Sequence, residues 1–284
     1  MANYTPRTEV KPLNPEYWTP FLQAPLYKSL VALDIANTRL EAYLKDGDTV
    51  NHSYIDMPAV VDYTPNTDID SFALVDATKE QLVVNQVKVA PFYVDRIEEL
   101  QSNVGIAIEL GERAAYKLRD EIDTHVLKET TNGTSWSFGT ALTVDNIIKF
   151  FSEAGQKLRE ENVEEIDWIA VVTPAVASLI EQKATSVGGF NLADSAAQNG
   201  YAGSWLGFRI YVSNNLPDAS DGKYLYIGRR GMIDLVMQAA PQMKISDAED
   251  RLGYKFKPHT VYGSKVFTEN AKRFLAADVT ISSS

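Results

Sequence analysis

The side chains best suited to chemistry in this chain are its three histidines, His52, His125 and His259. No two are close in sequence, and none belongs to a zinc-ligand spacing such as HExxH. His52 and Ser53 could be combined with a remote aspartate into a hydrolytic triad, yet no GxSxG elbow is there to present the serine. Asp46-Gly47-Asp48 and Asp68-Ile69-Asp70 offer oxygen ligands to a hard cation, but neither continues into the calcium-loop pattern. The glycines of Gly228-Arg229-Arg230-Gly231 and those near 188 match neither GxGxxG nor GxxxxGK(S/T), so no phosphate cradle is indicated. The chain has no cysteine, which removes thiolate metal sites, disulfides and cysteine nucleophiles. The expectation is a protein with no catalytic residues, no metal site and no cofactor.

What remains is a question of architecture. A chain of 284 residues with 45% hydrophobic and 23% charged content is long and apolar enough to fold around a large core. Its longest apolar runs, such as 168–172, are far shorter than the roughly 20 residues of a membrane-spanning helix, and residues 1–20 lack a signal-peptide pattern. A net charge of −11 opposes tight nucleic-acid binding, which draws its affinity from Lys and Arg on phosphates, though it leaves room for a local basic patch.

Residues 1–25 carry Pro6, Pro12, Pro15, Pro20 and Pro25 among Tyr17, Trp18 and Phe21, and read as an extended arm. A short amphipathic helix is expected over 26–44. β-prone segments at 50–57 and 82–89 bracket a stretch rich in aspartate with Pro58 and Pro65, giving a long hairpin-like excursion that needs a partner surface. Pro91 is expected to end the strand. From Asp95 to Thr131 an unbroken helical pattern follows, with Ile97, Leu100, Val104, Ala107, Ala115, Leu118, Ile122 and Val126 on one stripe and Asp95 with Glu98 at capping-box spacing. Such a rod would be about 55 Å long, more than one core of this size covers, so part of it should pack on other copies. After Asn132-Gly133 come helix 144–161, strand 166–172, a helix opened by Pro174, a glycine-rich loop at 187–203, strands 208–213 and 224–228, and a short helix near 232–238. This part is α/β. The remainder is β, with strands at 254–257, 260–267 and 274–281.

Charge is distributed unevenly along the chain. Between residues 46 and 78 stand seven aspartates, Asp46, Asp48, Asp56, Asp62, Asp68, Asp70 and Asp76, and no lysine or arginine. Between 251 and 273 stand Arg251, Lys255, Lys257, Lys265, Lys272 and Arg273 against Glu269 alone. The expectation is that the acidic excursion lies over the basic C-terminal β region of a neighbouring copy, with Asp56, Asp62, Asp68, Asp70 and Asp76 facing Arg251, Lys255, Lys257 and Lys265.

The order of elements resembles the major capsid proteins of tailed bacteriophages with the Hong Kong 97 type of coat fold. Two runs are similar to the family's recurring signatures: Gly203-Ser-Trp-Leu-Gly-Phe-Arg-Ile-Tyr-Val-Ser-Asn-Asn-Leu-Pro217, and Tyr224-Leu-Tyr-Ile-Gly-Arg-Arg-Gly-Met-Ile233. The resemblance implies an α+β capsid fold. Its parts would be an N-terminal arm and short helix (1–45), an elongated β loop (46–90), a peripheral domain with the spine helix (91–139 and 241–284) and an α/β axial domain (140–240). It implies hexamers and pentamers of one polypeptide closing into an icosahedral shell around double-stranded DNA, with scaffolding, portal and decoration proteins as further partners and no membrane. Some relatives crosslink through a lysine on the elongated loop. Residues 46–78 hold none, so a shell without covalent links is expected. The roughly hundred-residue helical extension that scaffolds some relatives is not present in this sequence either, which suggests a separate scaffold or none. An encapsulin-like nanocompartment is the alternative within the same fold, and a soluble hydrolase or binding protein the alternative outside it.

Overall fold

The computed structural model describes residues 27–28, 30–44, 47–55, 58, 60–66, 68, 72, 77–101, 106–187, 201–219, 222–249 and 251–281. The proline-rich arm and most of the glycine-rich loop lie outside these residues. Three sheets organise the rest. A two-stranded ribbon pairs β1 (Thr49–Ile55) with β2 (Ala77–Val83), antiparallel, with Thr49 opposite Val83 and Ile55 opposite Ala77. A four-stranded sheet is built on β11 (Gly253–Lys265), flanked by β10 (Asp234–Asp247) on one side and by β3 (Gln86–Val89) and β4 (Phe92–Asp95) on the other. A six-stranded mixed sheet has the order β5 (Thr134–Ser137), β12 (Phe274–Val279), β9 (Lys223–Arg229), β6 (Trp168–Val172), β8 (Phe208–Val212), β7 (Tyr201–Trp205).

The helices are α1 (Ala32–Ile35), α2 (Arg96–Gln101), α3 (Ile106–Lys128), α4 (Ile147–Glu160), α5 (Pro174–Val187) and α6 (Thr268–Ala271). The main core joins the six-stranded sheet to Phe150, Phe151, Ala154 and Leu158 of α4, Val176 and Ile180 of α5, and Ile122, Val126 and Leu127 of α3. β6 is buried at every position, the pattern of a central strand covered on both faces.

β3 and β4 continue one register along β11, with Val89 opposite His259 and Phe92 opposite Phe256. The gap between them falls at Pro91, and Pro258 stands in the same zone of β11. Proline has no backbone N–H, so the ladder is interrupted there and resumes. The strand expected to end at Pro91 therefore has a second half.

Other expectations are corrected. The described spine is α2, then α3 of 23 residues, about 35 Å long, then a 3₁₀ turn at Glu129–Asn132. Residues 102–105 between the two helices lie outside the described set. Asp95 ends β4 while its Oδ1 accepts the Ile97 N–H at 2.8 Å, which caps α2 from the Asp95 side; the Glu98 side chain of the expected capping box lies outside the described residues. The helix expected over 26–44 is only α1 and a 3₁₀ turn at Arg39–Tyr43, because Asn37 leaves the helix to bridge Asp234 and its N–H donates to the Ile233 carbonyl. The helix expected near 232–238 is the start of β10, where Leu235 and Val236 are buried. The two strands expected at 254–257 and 260–267 are one strand, β11. The last strand, expected among the peripheral strands, completes the six-stranded sheet between β5 and β9; four of its first five residues are apolar and buried.

Candidate assembly surface

The elongated loop is rooted on its own subunit. Val50 of β1 and Leu82 of β2 join Leu44, Val84, Val236 and Phe267 in a small separate core. Glu80 accepts the Thr268 N–H at 3.2 Å, and the Lys265 ammonium donates to the Gln81 carbonyl at 2.8 Å and lies 3.8 Å from the Glu80 carboxylate. Lys265, read from the sequence as a contact to another copy, is thus already engaged by the loop stem of its own chain. Its place on β11 puts it beside the stem, which sequence distance hides.

Beyond the root the ribbon is mostly exposed. Asp62 and Asp68 are exposed, and Asp56, Asp70 and Asp76 lie outside the described residues. Between the acids stand large apolar side chains in the open: Val60 at 97%, Phe72 at 79%, and Val61 and Tyr63 at more than half. The charge reading passed over these. Their presence in a segment with no periodic element to bury them was the available signal. Aromatic anchors carry much of the energy of protein interfaces.

The basic segment expected to oppose the loop forms one face of the four-stranded sheet. Residues opposite each other in an antiparallel ladder share a face, as do alternate residues along a strand. Lys255 and Lys257 are exposed on one face of β11, with Lys244 of β10 directly opposite Lys257. Val87 and Val89 of β3, both at least half exposed, share that face through their pairing with Val261 and His259. So does Tyr93, opposite Lys255, with the Arg251 guanidinium 6.0 Å from its ring centroid. The other face meets α3: Lys88 pairs with Glu121 at 2.7 Å, and Met243 packs beside Gly111. Like charges directly across a ladder repel. Neither Lys244, Lys255 nor Lys257 has an ion-pair partner among the described residues. Lys244 fell outside the basic window read from the sequence, because only the ladder brings it there.

The segment around α1 is held by two carboxylates of α3. Asp123, 1% exposed, accepts the N–H groups of Val31 at 2.7 Å and Ala32 at 2.8 Å and the Asn215 amide at 2.8 Å. Asp120 accepts the same amide at 3.0 Å and lies 3.4 Å from the Lys28 ammonium. Burial pushes the Asp123 carboxyl above its ordinary range, against the pull of these donors. Tyr116, Asp120, Asp123 and Leu127 form one helical edge, so two acids beside an apolar stripe were the signal in the sequence.

Asp234, 3% exposed, accepts the Asn37 amide at 2.6 Å and the Asn270 amide at 3.0 Å, tying the segment after α1 to β10 and α6. Burial pushes its carboxyl up to about 6, with the two amides pulling the other way. A raised carboxyl binds its proton more tightly in the folded state. Its stabilising contribution is therefore full below the ordinary pKa near 3.8 and is lost as pH rises through about 6, by no more than about 3 kcal/mol. Asp234→Asn cannot titrate, so the stability difference between variant and parent should move in the variant's favour between pH 4 and 7. A difference independent of pH in parallel thermal melts would contradict the assignment.

The histidines stay apart. His52 lies against the Phe267 ring, His125 shares a 2.9 Å hydrogen bond with Ser264, and His259 sits by the Lys257 carbonyl. Among the described residues no three His, Asp or Glu side chains are grouped to hold a metal, and no helix is long and apolar enough to cross a membrane.

A family model described as phage capsid protein matches residues 92–276, well over half of the chain. A comparison with curated proteins finds no match. Among solved structures, one titled Mycobacterium phage Che8 is 23% identical at TM-score 0.79, covering 95% of this chain and 98% of the other. The capsid structure of the Cyanophage P-SCSP1u is 15% identical at TM-score 0.77, covering 99% and 100%. The asymmetric unit of the bacteriophage PhiM1 mature capsid is 14% identical at TM-score 0.69, covering 94% and 92%. At these identities the structures establish the fold, which is of the Hong Kong 97 type. The match of the family model over residues 92–276 places the chain in the phage capsid protein family, as a structural protein that forms the shell of the virion.

Proposed function

We propose that this chain builds an icosahedral container of hexamers and pentamers around double-stranded DNA, and that its elongated loop lies across the Lys244, Lys255 and Lys257 face of a neighbouring copy. One observation carries the reading. Three exposed lysines, two of them directly opposed, flank exposed Val87 and Val89, while the loop offers aspartates interleaved with Val60, Val61, Tyr63 and Phe72. Charge and apolar area match in kind on both sides. Each exposed ion pair is worth only about 0 to 1 kcal/mol, but a subunit holding several neighbours at once multiplies small terms through effective concentration. The net −11 of the chain would leave packaged DNA mobile against the wall rather than bound to it. Scaffolding, portal and decoration proteins are further partners in this proposal.

Reversing Lys255 and Lys257 to glutamate should abolish complete particles at low salt, read by sedimentation or native mass. Normal assembly of that variant at low salt would remove the loop-on-face reading. The stretch 46–78 has no lysine, Lys88 is paired with Glu121, and Lys79 stands in the β2 ladder near the stem; with none of them forming an isopeptide bond in this proposal, mature particles should dissolve to monomer on a denaturing gel. A ladder of multimers there would contradict a shell free of covalent links.

A further inference from the structure

Segments 36–39, 229–232 and 270–273, remote from one another in sequence, meet around a cavity of about 530 Å³ on the side of the molecule where α1, β9 and α6 converge. Backbone bonds fix its walls. The Arg229 N–H donates to the Arg273 carbonyl at 3.2 Å, the Arg230 N–H to the Asp167 carbonyl at 3.0 Å, and the Gly231 N–H to the Ile35 carbonyl at 2.9 Å.

The lining holds four arginines, Arg39, Arg229, Arg230 and Arg273, against one carboxylate, Asp167. Asp167 is taken by Arg209, and Arg229 is paired with Glu164 at 2.6 Å. Arg230 spends its Nε on the Asp34 carbonyl at 2.5 Å, a neutral acceptor. Arg39, Arg230 and Arg273 therefore have no carboxylate partner among the described residues. In a chain of net charge −11, three uncompensated guanidinium groups around one cavity are a local exception. None of them belongs to the sheet face described above.

Guanidinium is a planar fork that meets the oxygens of phosphate two at a time, and such charge-assisted bonds are about twice as strong as neutral ones. We propose that this cavity binds a small phosphate-bearing anion of the pyrophosphate type. A ligand small enough to enter meets the three groups together, whereas a duplex approaching from outside meets the field of the whole acidic subunit. Bound there, the anion would bridge Arg39, which leads into the elongated loop, to Arg230 after β9 and Arg273 before β12. It would thereby fasten the loop's lead-in to the main core.

The test is calorimetric titration of the full-length protein with pyrophosphate at fixed ionic strength, repeated on Arg39→Gln/Arg273→Gln. Both side chains are exposed, so the change buries nothing. Arg39→Gln alone serves as a second variant should the double one fail to fold. The parent should bind saturably at one ligand per chain and melt higher with ligand, while the variants bind about tenfold or more weakly. A short DNA duplex, titrated separately, should not compete. Equal pyrophosphate binding by parent and variants would overturn the proposal, as would no binding beyond the salt control. Binding of the duplex but not of pyrophosphate would overturn it too.

Discussion

Replacing Asp123 with alanine is expected to cost on the order of 3 kcal/mol and to release the segment around α1 from the spine helix. The carboxylate accepts three hydrogen bonds in a site almost closed to water, two of them from backbone N–H groups with no other acceptor among the described residues. A buried donor left without a partner costs about 1 to 3 kcal/mol, and removing Asp123 strands several at once. Asp123→Asn keeps one acceptor oxygen and should lose less. Two readouts follow the same event. The thermal midpoint should fall, and trypsin should cut sooner at Lys28, whose ammonium is held by the Asn215 side chain at 2.9 Å. A variant that melts with the parent and resists trypsin equally would show that the carboxylates do not hold the segment around α1.

Gly263→Ala should be the more damaging change for assembly. Gly263 lies in β11 where the chain leaving β2 passes over it. A Cβ built there would stand 2.5 Å from the Val83 carbonyl oxygen and 2.9 Å from the Val84 Cα. Both contacts are backbone, so no side chain can swing aside. The end of β2 must lift, which breaks the small core of Val50, Leu82, Val84 and Phe267 and the bonds of Lys265 to the stem. Overpacking typically costs about 1 to 3 kcal/mol, and a clash with backbone on both sides puts this site at the upper end. The six-stranded sheet lies in a different core and should stay folded. Soluble subunits that no longer form closed shells are the expected result, scored by sedimentation. Gly111→Ala is the contrast: its nearest neighbour is the flexible Met243 methyl at 3.3 Å, and alanine favours a helix by about 1 kcal/mol over glycine. That variant should assemble normally. Equal assembly by both variants would show that the stem need not sit where it does.

How far the sequence could carry this structure depends on which physical signal each part used. Helix α4 was legible because Ile147, Phe150, Phe151, Ala154 and Leu158 repeat at helical spacing and all face the core. Helix α5 was legible from proline at its first turn, and β6 from its unbroken apolar run. The second half of the spine was legible for the same reason as α4, with Leu118, Ile122 and Val126 buried. Its first half shows the limit. Ile97 and Leu100 are exposed, so this end of the apolar stripe read from the sequence does not mark burial within this subunit. That agrees with a rod partly covered by other copies.

The start of β10 was misread because a short apolar run is ambiguous between helix and strand, and only pairing with β11 decides it. Site residues follow the same rule. The charge asymmetry was visible along the chain, but only the ladder adds Lys244 to the basic face, and only the fold shows Lys265 bonded to the loop stem of its own chain. The clip on the start of α1 needed Asp123 to be recognised as an acceptor within an apolar edge, while its donors, 91 and 92 residues away, are backbone groups that no composition reveals.

The most direct measurement is electron cryo-microscopy of particles assembled from the purified chain, following the ribbon of β1 and β2 outward from its root. The loop should cross to a neighbouring subunit and set its aspartates and Tyr63 or Phe72 against Lys244, Lys255, Lys257, Val87 and Val89. A loop lying on the body of its own subunit, with that sheet face bare between copies, would contradict the account.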